Sequence, residues 1–410
     1  MRSNAGGLKK RPTRYGSRAT TSLSLAIRLH KKGEHAAAEV AYGAALTEDP
    51  RSLDAVMNLA TLEAMLGRAR SARARFHEAA ALAPRDARVA RDIGIGMAAI
   101  GETSAARRWL EQALALDASF VGAHLHASRV CAELGDSEGA LEHARRAVVI
   151  APDDPSSHLE LYRASFADDA LEASIAAAER AIELAPTHAL AHYFRAAAIA
   201  LARDDSSALA HHAIPPALAA AARYALQKRH PLPRFFATRR ETLEFACRNA
   251  DRPGPVVELG VRFGVSTRVL AAEVDRVDAF DSFEGLPEAW QGKPRGAFST
   301  AGEAPDLPPN VAVHRGWFTQ TLPSYAQATS TPLRLLHIDS DLYSSALTGL
   351  AALAPRFEHG TVVVFDQYIG NESWHEDEYR AFQEAAAQHR LRYRYLAFSW
   401  VTGQAVIQIE

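Results

Sequence analysis

A period of 34 residues runs through the first half of this 410-residue chain. Glycine, proline and alanine each recur at this spacing, and each keeps its own register. Glycine suits the end of one helix, proline closes a second helix, and small alanines let the two helices pack closely. The registers are Gly33, Gly67, Gly101 and Gly135; Pro50, Pro84, Pro152 and Pro186; Ala38, Ala72, Ala106 and Ala140; and Ala45, Ala79, Ala113, Ala147 and Ala181.

This pattern resembles the tetratricopeptide repeat, whose unit is a pair of antiparallel helices. The resemblance implies an all-α solenoid over residues 19–222, with a degraded last unit that Pro215-Pro216 interrupts. Its concave surface suits docking of a protein partner or self-association, and the alternative is a spacer that only positions the second half. The regular units are predicted at 19–52, 53–86, 87–120, 121–154 and 155–188.

Composition narrows the class of protein further. The formal net charge of −2 gives no bulk attraction to nucleic acid or to an anionic membrane, and no apolar run is long enough for a membrane span. Residues 1–18 are basic and are predicted to form a disordered tail, with a nucleic-acid-binding arm as the alternative. The two cysteines, Cys131 and Cys247, fall in different predicted domains, which favours buried thiols and a cytoplasmic location.

The second half alternates strands with helices, which predicts a Rossmann-like doubly wound α/β sheet over residues 223–410. The last two strands are close enough to form an antiparallel hairpin. The predicted strands cover Val256–Leu259, Val277–Phe280, Val311–His314, Leu333–Ile338, Thr361–Phe365, Leu391–Ala397 and Ala405–Ile409, and the predicted helices cover Thr238–Asn249, Thr267–Val274, Ser344–Ala354 and Tyr379–Gln388.

One strand of this half ends in a glycine turn and leads into a helix. Glu258 and Gly260 stand at the turn, Gly264 follows four residues later, and Ser266 and Thr267 stand at the helix start. Glycines let a ligand approach the backbone closely, and the free N–H groups of a helix start favour an electron-rich ligand. The pattern lacks the G-x-G-x-x-G dinucleotide fingerprint. It resembles motif I of class I S-adenosylmethionine (SAM) methyltransferases, which implies that these residues bind SAM.

Acidic residues stand at or beside the ends of four predicted strands: Glu258, Asp281, Asp339 and Asp366. Ligands of such sheets bind outside the carboxyl ends of the strands, so we expect these carboxylates to meet at one rim. Asp281, with Ser282 beside it, can accept both ribose hydroxyls, and Glu258 favours the positive side of the cofactor. Trp317, which follows Gly316, can wall the adenine or belong to the core.

Several further motifs resemble the macrocin O-methyltransferase family over about residue 234 to the end. The motifs are 281–287 (DSFEGLP), 316–318 (GWF) with 321–323 (TLP), 336–343 (LHIDSDLY) and 364–368 (VFDQY). The resemblance implies methylation of a sugar-type hydroxyl with SAM and a divalent metal such as Mg²⁺. By position, Asp339 and Asp366 would hold the metal, and Asp339 could also be the base.

This sequence departs from that family at one of the predicted metal-binding positions. Gln367 stands where a second acid commonly follows the strand, which weakens the expected metal site. His375 is an alternative base, and residues 288–309 form either a lid over the substrate or a disordered insert. The competing functions are an interaction scaffold with a degenerate methyltransferase domain and, more remotely, a nucleotide-dependent oxidoreductase. The acceptor is a small molecule or glycan that the sequence does not specify.

Overall fold

The computed structural model describes residues 12–16, 20–228 and 233–410. Its first part is a stack of antiparallel helix pairs, which confirms the predicted repeats. The pairs are α1 (Thr21–Lys32) with α2 (His35–Glu48), α3 (Leu53–Met65) with α4 (Ala69–Leu82), α5 (Ala87–Ala99) with α6 (Thr103–Leu116), α7 (Val121–Glu133) with α8 (Ser137–Ile150), and α9 (Pro155–Ala164) with α10 (Glu172–Leu184).

The regular alanines and glycines explain how each pair forms. The second helix of each of the first four pairs packs close to the first helix, because small alanines are buried there. These alanines are Ala38, Ala72, Ala106 and Ala140. Gly33 ends α1 in the left-handed conformation (φ 80°), and its N–H donates to the carbonyls of Leu29 and His30. This closure of the last turn is the usual role of glycine after a helix.

The sixth unit is irregular, and part of the N-terminal tail contacts the repeats. The sixth unit is α11 (Ala189–Arg203), a short 3₁₀ turn and α12 (Pro216–Gln227), so the predicted domain boundary at 222/223 falls inside a helix. Of the predicted tail, residues 12–16 are described, and Thr13 and Tyr15 hydrogen-bond to the repeats. The rest of the predicted tail, at 1–11 and 17–18, lies outside the described residues.

An eight-stranded sheet follows, and it confirms the predicted doubly wound domain. The strand order is β1-β7-β8-β6-β5-β2-β3-β4, and within it only β8 runs antiparallel to its neighbours. The strands are β1 (Arg234–Phe235), β2 (Val256–Leu259), β3 (Val277–Asp281), β4 (Val311–Arg315), β5 (Leu335–Ile338), β6 (Val362–Phe365), β7 (Tyr393–Phe398) and β8 (Ala405–Ile409), and the helices are α13 (Arg239–Asn249), α14 (Val265–Glu273), α15 (Phe318–Ala328), α16 (Tyr343–Leu353) and α17 (Glu378–Gln388).

Two elements of this domain were not predicted. Helix α15 contains Pro323 in its interior, which interrupts the helical pattern that a sequence reading relies on. Strand β1 is only two residues long and pairs with β7 at the sheet edge, so it carries no alternating pattern of its own.

The repeats and the sheet share one apolar core. The Trp400 indole N–H donates to the Tyr162 hydroxyl at 3.2 Å, and both side chains are fully buried. At the rim of this contact, Arg234 donates to both carboxylate oxygens of Asp168 at 2.7 and 2.9 Å. Among the described residues, no helix combines the length and the apolar character that crossing a membrane requires.

Candidate functional site

A cavity of about 1220 Å³ lies between the carboxyl edge of the sheet and the repeat array. The sheet side is formed by the loops after β2, β3, β4, β5 and β6. The repeat side is formed by residues near the ends of α5, α7 and α9, which are the first helices of the third, fourth and fifth repeats. A small-molecule site occupies about 300–1,000 Å³, so the cavity has room for a cofactor together with an acceptor.

The glycine turn lies at the point where the strand order reverses. β2 pairs with β3 on one side and β5 on the other, so Gly260 and Asp339 follow neighbouring strand ends. Gly260 has φ 97°, and a Cβ there would overlap the Asp339 carbonyl. Only glycine fits, because the two loops leave the sheet in close contact. Such a reversal point is where open α/β sheets bind ligands.

Most of the predicted site residues line this cavity. Asp281, Asp339 and Asp366 line it at the ends of their strands, as expected, whereas four other residues do not line the cavity. The lining set is Gly260, Ser266, Asp281, Ser282, Gly316, Trp317, Asp339, Asp366 and Gln367, and the residues outside it are Glu258, Gly264, Thr267 and His375.

Asp281 shapes the glycine turn. Its Oδ2 accepts hydrogen bonds from the backbone N–H groups of Val261 and Arg262, both at 2.8 Å, and its Oδ1 accepts from Phe283 N–H at 2.7 Å. A carboxylate oxygen has about two lone-pair directions, so Oδ1 keeps one for a ligand. The same side chain can therefore fix the loop and accept a hydroxyl.

Glu258 lies within the sheet rather than at its rim. It is fully buried, and its Oε1 lies 3.0 Å from Nδ1 of His337 on the adjacent strand. Burial alone would lower the pKa of His337, but the hydrogen bond and charge of Glu258 raise that pKa above its usual range. His337 holds one carboxylate oxygen of Glu258, whereas Oε2 is buried without a hydrogen-bond partner, so the contact of Glu258 with the cofactor stays a prediction.

Two acids follow β5 directly and face the cavity. Burial and the neighbouring Asp366 raise the pKa of Asp339 to about 8, and burial raises the pKa of Asp341 to about 6. Asp341 takes a left-handed backbone conformation (φ 63°), which is uncommon for a residue with a side chain. The loop that carries both acids is held by the buried Glu378, which accepts from the N–H groups of Ser340 and Gln367 at 3.2 and 2.9 Å.

Both carboxylate oxygens of Asp366 accept hydrogen bonds from protein donors. Arg239 donates to its Oδ1 and Oδ2 at 2.8 and 2.7 Å, and Gln404 donates to Oδ1 at 3.0 Å. The paired contact is the fork geometry that guanidinium forms with carboxylate. Arg239 begins α13, and a capping box between Thr238 and Glu241 fixes that helix start.

These contacts do not fit the predicted divalent metal site. A hard cation needs carboxylate oxygens that are not already paired with a positive charge, and both oxygens of Asp366 accept from the Arg239 guanidinium. Gln367 adds no charge, and within residues 12–16, 20–228 and 233–410 no group of three or more His, Cys, Asp or Glu is placed to hold a metal ion. We therefore derive no chemical step through a metal at Asp339, Asp366 and Gln367.

His375 is an exposed residue outside the cavity. Its ring stacks on Trp374, with 3.6 Å between the ring centroids. The loop before it does reach the site, because Glu372 and Ser373 line the cavity. Of the two residues predicted as the base, Asp339 lines the cavity and His375 does not.

The repeats supply a charged wall that the sequence reading did not place at the site. Arg129 donates to Glu160 at 2.7 Å, and Arg163 approaches the same carboxylate at 3.8 Å. The Nε of Arg163 is buried without a hydrogen-bond partner. No local motif marks these residues, although Glu160 falls on the 34-residue register of the repeat helices. Arg239 was missed for the same reason, and the Thr238–Glu241 capping pattern was the available signal.

Comparison with known families agrees with this division of the chain. Residues 257–368 match a family described as a methyltransferase domain, and residues 29–91 match a tetratricopeptide repeat family. The chain therefore combines tetratricopeptide repeats with a methyltransferase domain.

One curated relative is an O-methyltransferase. The chain is 32% identical over 145 residues to the 8-demethyl-8-(2,3-dimethoxy-alpha-L-rhamnosyl)-tetracenomycin-C 4'-O-methyltransferase of Streptomyces olivaceus. This match covers 28% of the chain and 53% of the relative, so the chain spans about half of that relative's length.

Solved structures resemble each half separately. A tetratricopeptide repeat protein of Thermus thermophilus is 22% identical, with 43% of this chain and 97% of that chain covered and a TM-score of 0.36. The calicheamicin methyltransferase CalS11 is also 22% identical, with 49% of this chain and 88% of that chain covered and a TM-score of 0.35.

Proposed function

We propose that this protein is a SAM-dependent O-methyltransferase whose acceptor is a sugar-type or other small-molecule hydroxyl. The observation that carries the proposal is the cavity itself. The glycine turn and Asp281 line it together with Asp339, which follows the neighbouring strand. Residues of the repeats line its other side. The methyltransferase domain match and the O-methyltransferase relative support the reaction class.

The cofactor fits the part of the cavity beside β2, β3 and β4. Gly260 allows close approach to the backbone, Asp281 keeps a free lone pair for a ribose hydroxyl, and Trp317 offers an aromatic face after β4. Ser266 and Ser282 add hydroxyls to the same lining. When bound, SAM supplies an electrophilic methyl group on a sulfonium.

Asp339 is the base in this proposal. It follows the strand beside the glycine turn, so an acceptor hydroxyl can lie between its carboxylate and the cofactor. The hydroxyl oxygen forms the new C–O bond as the C–S bond breaks, and its proton passes to Asp339. Arg239 pairs with Asp366 next to this acid, and Arg129, Glu160 and Arg163 line the repeat side of the same cavity.

The relative suggests the acceptor. Its name states that it acts on a rhamnosyl group of a tetracenomycin, so we propose a glycosylated small molecule as the substrate class here. Sugars bind through many hydroxyls, and a wall of arginine and glutamate side chains offers both donors and acceptors for them.

Calorimetric titration of SAM tests the cofactor site. Wild type should bind with a measurable heat, and Asp281→Ala should lose binding by at least tenfold because the turn and the ribose acceptor are both removed. Asp278→Asn is the matched control, since Asp278 is buried on the same strand but pairs with Arg276 and His314 outside the cavity. Absence of heat with wild type would favour the alternative, an interaction scaffold with a degenerate methyltransferase domain.

Transfer of a labelled methyl group tests the reaction. With a panel of rhamnosylated and other glycosylated acceptors, Asp339→Asn should lower turnover by about 10²–10⁴-fold while SAM binding persists. Asp278→Asn should retain turnover. If Asp339→Asn methylates an acceptor as fast as wild type, Asp339 is not the base.

A further inference from the structure

Arg163 lies in the last turn of α9, at the seam where the repeats meet the sheet domain. Its neighbour Tyr162 accepts a hydrogen bond from the Trp400 indole of the sheet domain at 3.2 Å. The Tyr162 ring also stacks on Phe194, with 4.9 Å between the ring centroids, and the Arg163 guanidinium lies 5.7 Å from the same Phe194 ring. Tyr162 is therefore fixed by both domains, and this holds Arg163 at the wall of the cavity that it lines.

The Arg163 guanidinium has more donors than the protein satisfies. Among the residues that the structure describes, its side chain donates no hydrogen bond, and its Nε is buried without a partner. Its ion-pair partner is Glu160, whose Oε2 lies 3.8 Å from Nη1, which is beyond hydrogen-bond distance. A guanidinium carries five N–H donors and stays charged throughout the physiological pH range, so these donors can serve a ligand in the cavity.

Glu160 does not balance both of the arginines beside it. Its side chain is 3% exposed, its Oε2 accepts from Nε of Arg129 at 2.7 Å, and its Oε1 accepts from the Ser128 hydroxyl at 3.3 Å. Burial lowers the pKa of Arg163, and this effect outweighs the opposing charge of Glu160. Arg163 thus holds a positive charge that no hydrogen-bonded carboxylate of the described residues compensates.

We propose that Arg163 determines acceptor specificity by binding an anionic group of the acceptor, either a phosphate or a carboxylate. The fork of a guanidinium matches the paired oxygens of both groups. The proposal rests on the proposed methyl transfer, in which the acceptor hydroxyl meets Asp339, and it places a second group of the same acceptor against α9. The fifth repeat then contacts a small molecule as part of the catalytic cavity.

Calorimetric titration of three small probes into the full chain tests the charge preference. The probes are glucose 6-phosphate, glucuronate and glucose, and the titration needs neither SAM nor turnover. Wild type should bind one of the two anionic probes at least tenfold more tightly than glucose, and the tighter one identifies phosphate or carboxylate as the group. Equal binding of all three probes, or no binding of either anion, would overturn the proposal.

Variants of Arg163 locate the preference. Arg163→Gln should bind the anionic probe and glucose within about twofold of each other, whereas Arg163→Lys should keep part of the preference because its charge remains. Arg195→Gln is the matched control and should keep the full preference, because Arg195 lies in α11 and pairs with Glu179 at 3.0 Å outside the cavity. An unchanged preference in Arg163→Gln would also overturn the proposal.

Turnover separates this role from support of the helix end, where a cation stabilises the last carbonyls. For an acceptor with an anionic group, Arg163→Gln should raise KM at least tenfold, and its affinity for SAM should stay within about twofold of wild type. An arginine that only supports α9 would change thermal stability and leave KM and the probe preference unaltered. Loss of SAM binding by wild type would instead refute the methyltransferase assignment, so the two failures are distinct.

Discussion

At the scale of single residues, the contact between Arg239 and Asp366 decides which cation the site holds. Asp366 is buried beside Asp339, and Arg239 supplies the positive charge that such a cluster requires. The negative charges of Asp366 and Asp339 in turn raise the pKa of Arg239 above its ordinary value, against the opposing effect of burial. A guanidinium and a divalent ion compete for the same oxygens, and here the protein provides its own cation.

Divalent metal binding should therefore appear only when this guanidinium is removed. We expect wild type to show no stoichiometric Mn²⁺ binding by electron paramagnetic resonance, and Arg239→Ala to gain binding because the oxygens of Asp366 become available beside Asp339. Arg240→Ala is the matched control, because Arg240 follows on the same helix but pairs with Glu244 at 2.6 Å. Tight Mn²⁺ binding by wild type would show that the Arg239 contact does not exclude the metal.

At the scale of secondary-structure elements, a buried histidine makes the stability of the first helix pair depend on pH. His30 in α1 is 2% exposed, and its Nδ1 lies 3.2 Å from the Tyr42 hydroxyl in α2. Burial, with a smaller effect from His35, lowers the pKa of His30 to about 4. The unfolded histidine takes up a proton near pH 6.5, whereas the folded one resists it.

The stability of α1 and α2 should therefore fall in mildly acidic solution. The contribution of His30 is complete above about pH 6.5 and is lost as pH falls toward 4, by up to about 3 kcal/mol. Hydrogen exchange of the α1 and α2 amides at pH 7.5 and pH 5 measures this loss. In His30→Gln the difference between the two pH values should shrink, and an unchanged difference would assign it to another group.

The repeat glycines perform a second role at the scale of the whole molecule. Three successive turn glycines touch the methyltransferase domain. A Cβ at Gly67 would overlap the Ser299 carbonyl, one at Gly101 would lie 2.7 Å from Cβ of Phe263, and one at Gly135 would lie 2.7 Å from Nε of Arg240. The edge of the solenoid is thus fitted against the sheet domain, and the predicted lid insert supplies Ser299.

Gly67→Ala should therefore lower the free energy of unfolding by more than its backbone strain alone. Gly33→Ala is the matched control. The φ of Gly33 (80°) resembles that of Gly67 (77°), but a Cβ at Gly33 would meet only the His35 ring at 4.0 Å. Both variants carry a strain of about 1 kcal/mol, and Gly67→Ala should lose several kcal/mol in all because a backbone carbonyl must move. Chemical denaturation measures both values, and equal losses would show that the domains do not meet at Gly67.

Most of the architecture was predictable because it is encoded locally. The 34-residue registers, the alternation of strands with helices and the glycine turn after Val256–Leu259 each depend on neighbours along the chain. The strand ends likewise placed Asp281, Asp339 and Asp366 at one rim. Glu258 was the exception, because it precedes the last residue of its strand, and its side chain still lies within the sheet and meets His337.

The sequence by itself determined the two kinds of domain, their elements and the rim where the acids gather, since short-range spacing and apolar periodicity specify these. Only the tertiary structure decided which distant side chains meet. Arg239 and Asp366 are 127 residues apart, and Asn58 and Thr13 are 45 apart. Such contacts follow from how the packed domains place their surfaces, because charge and hydrogen bonding act over a few ångströms of space whatever the separation along the chain.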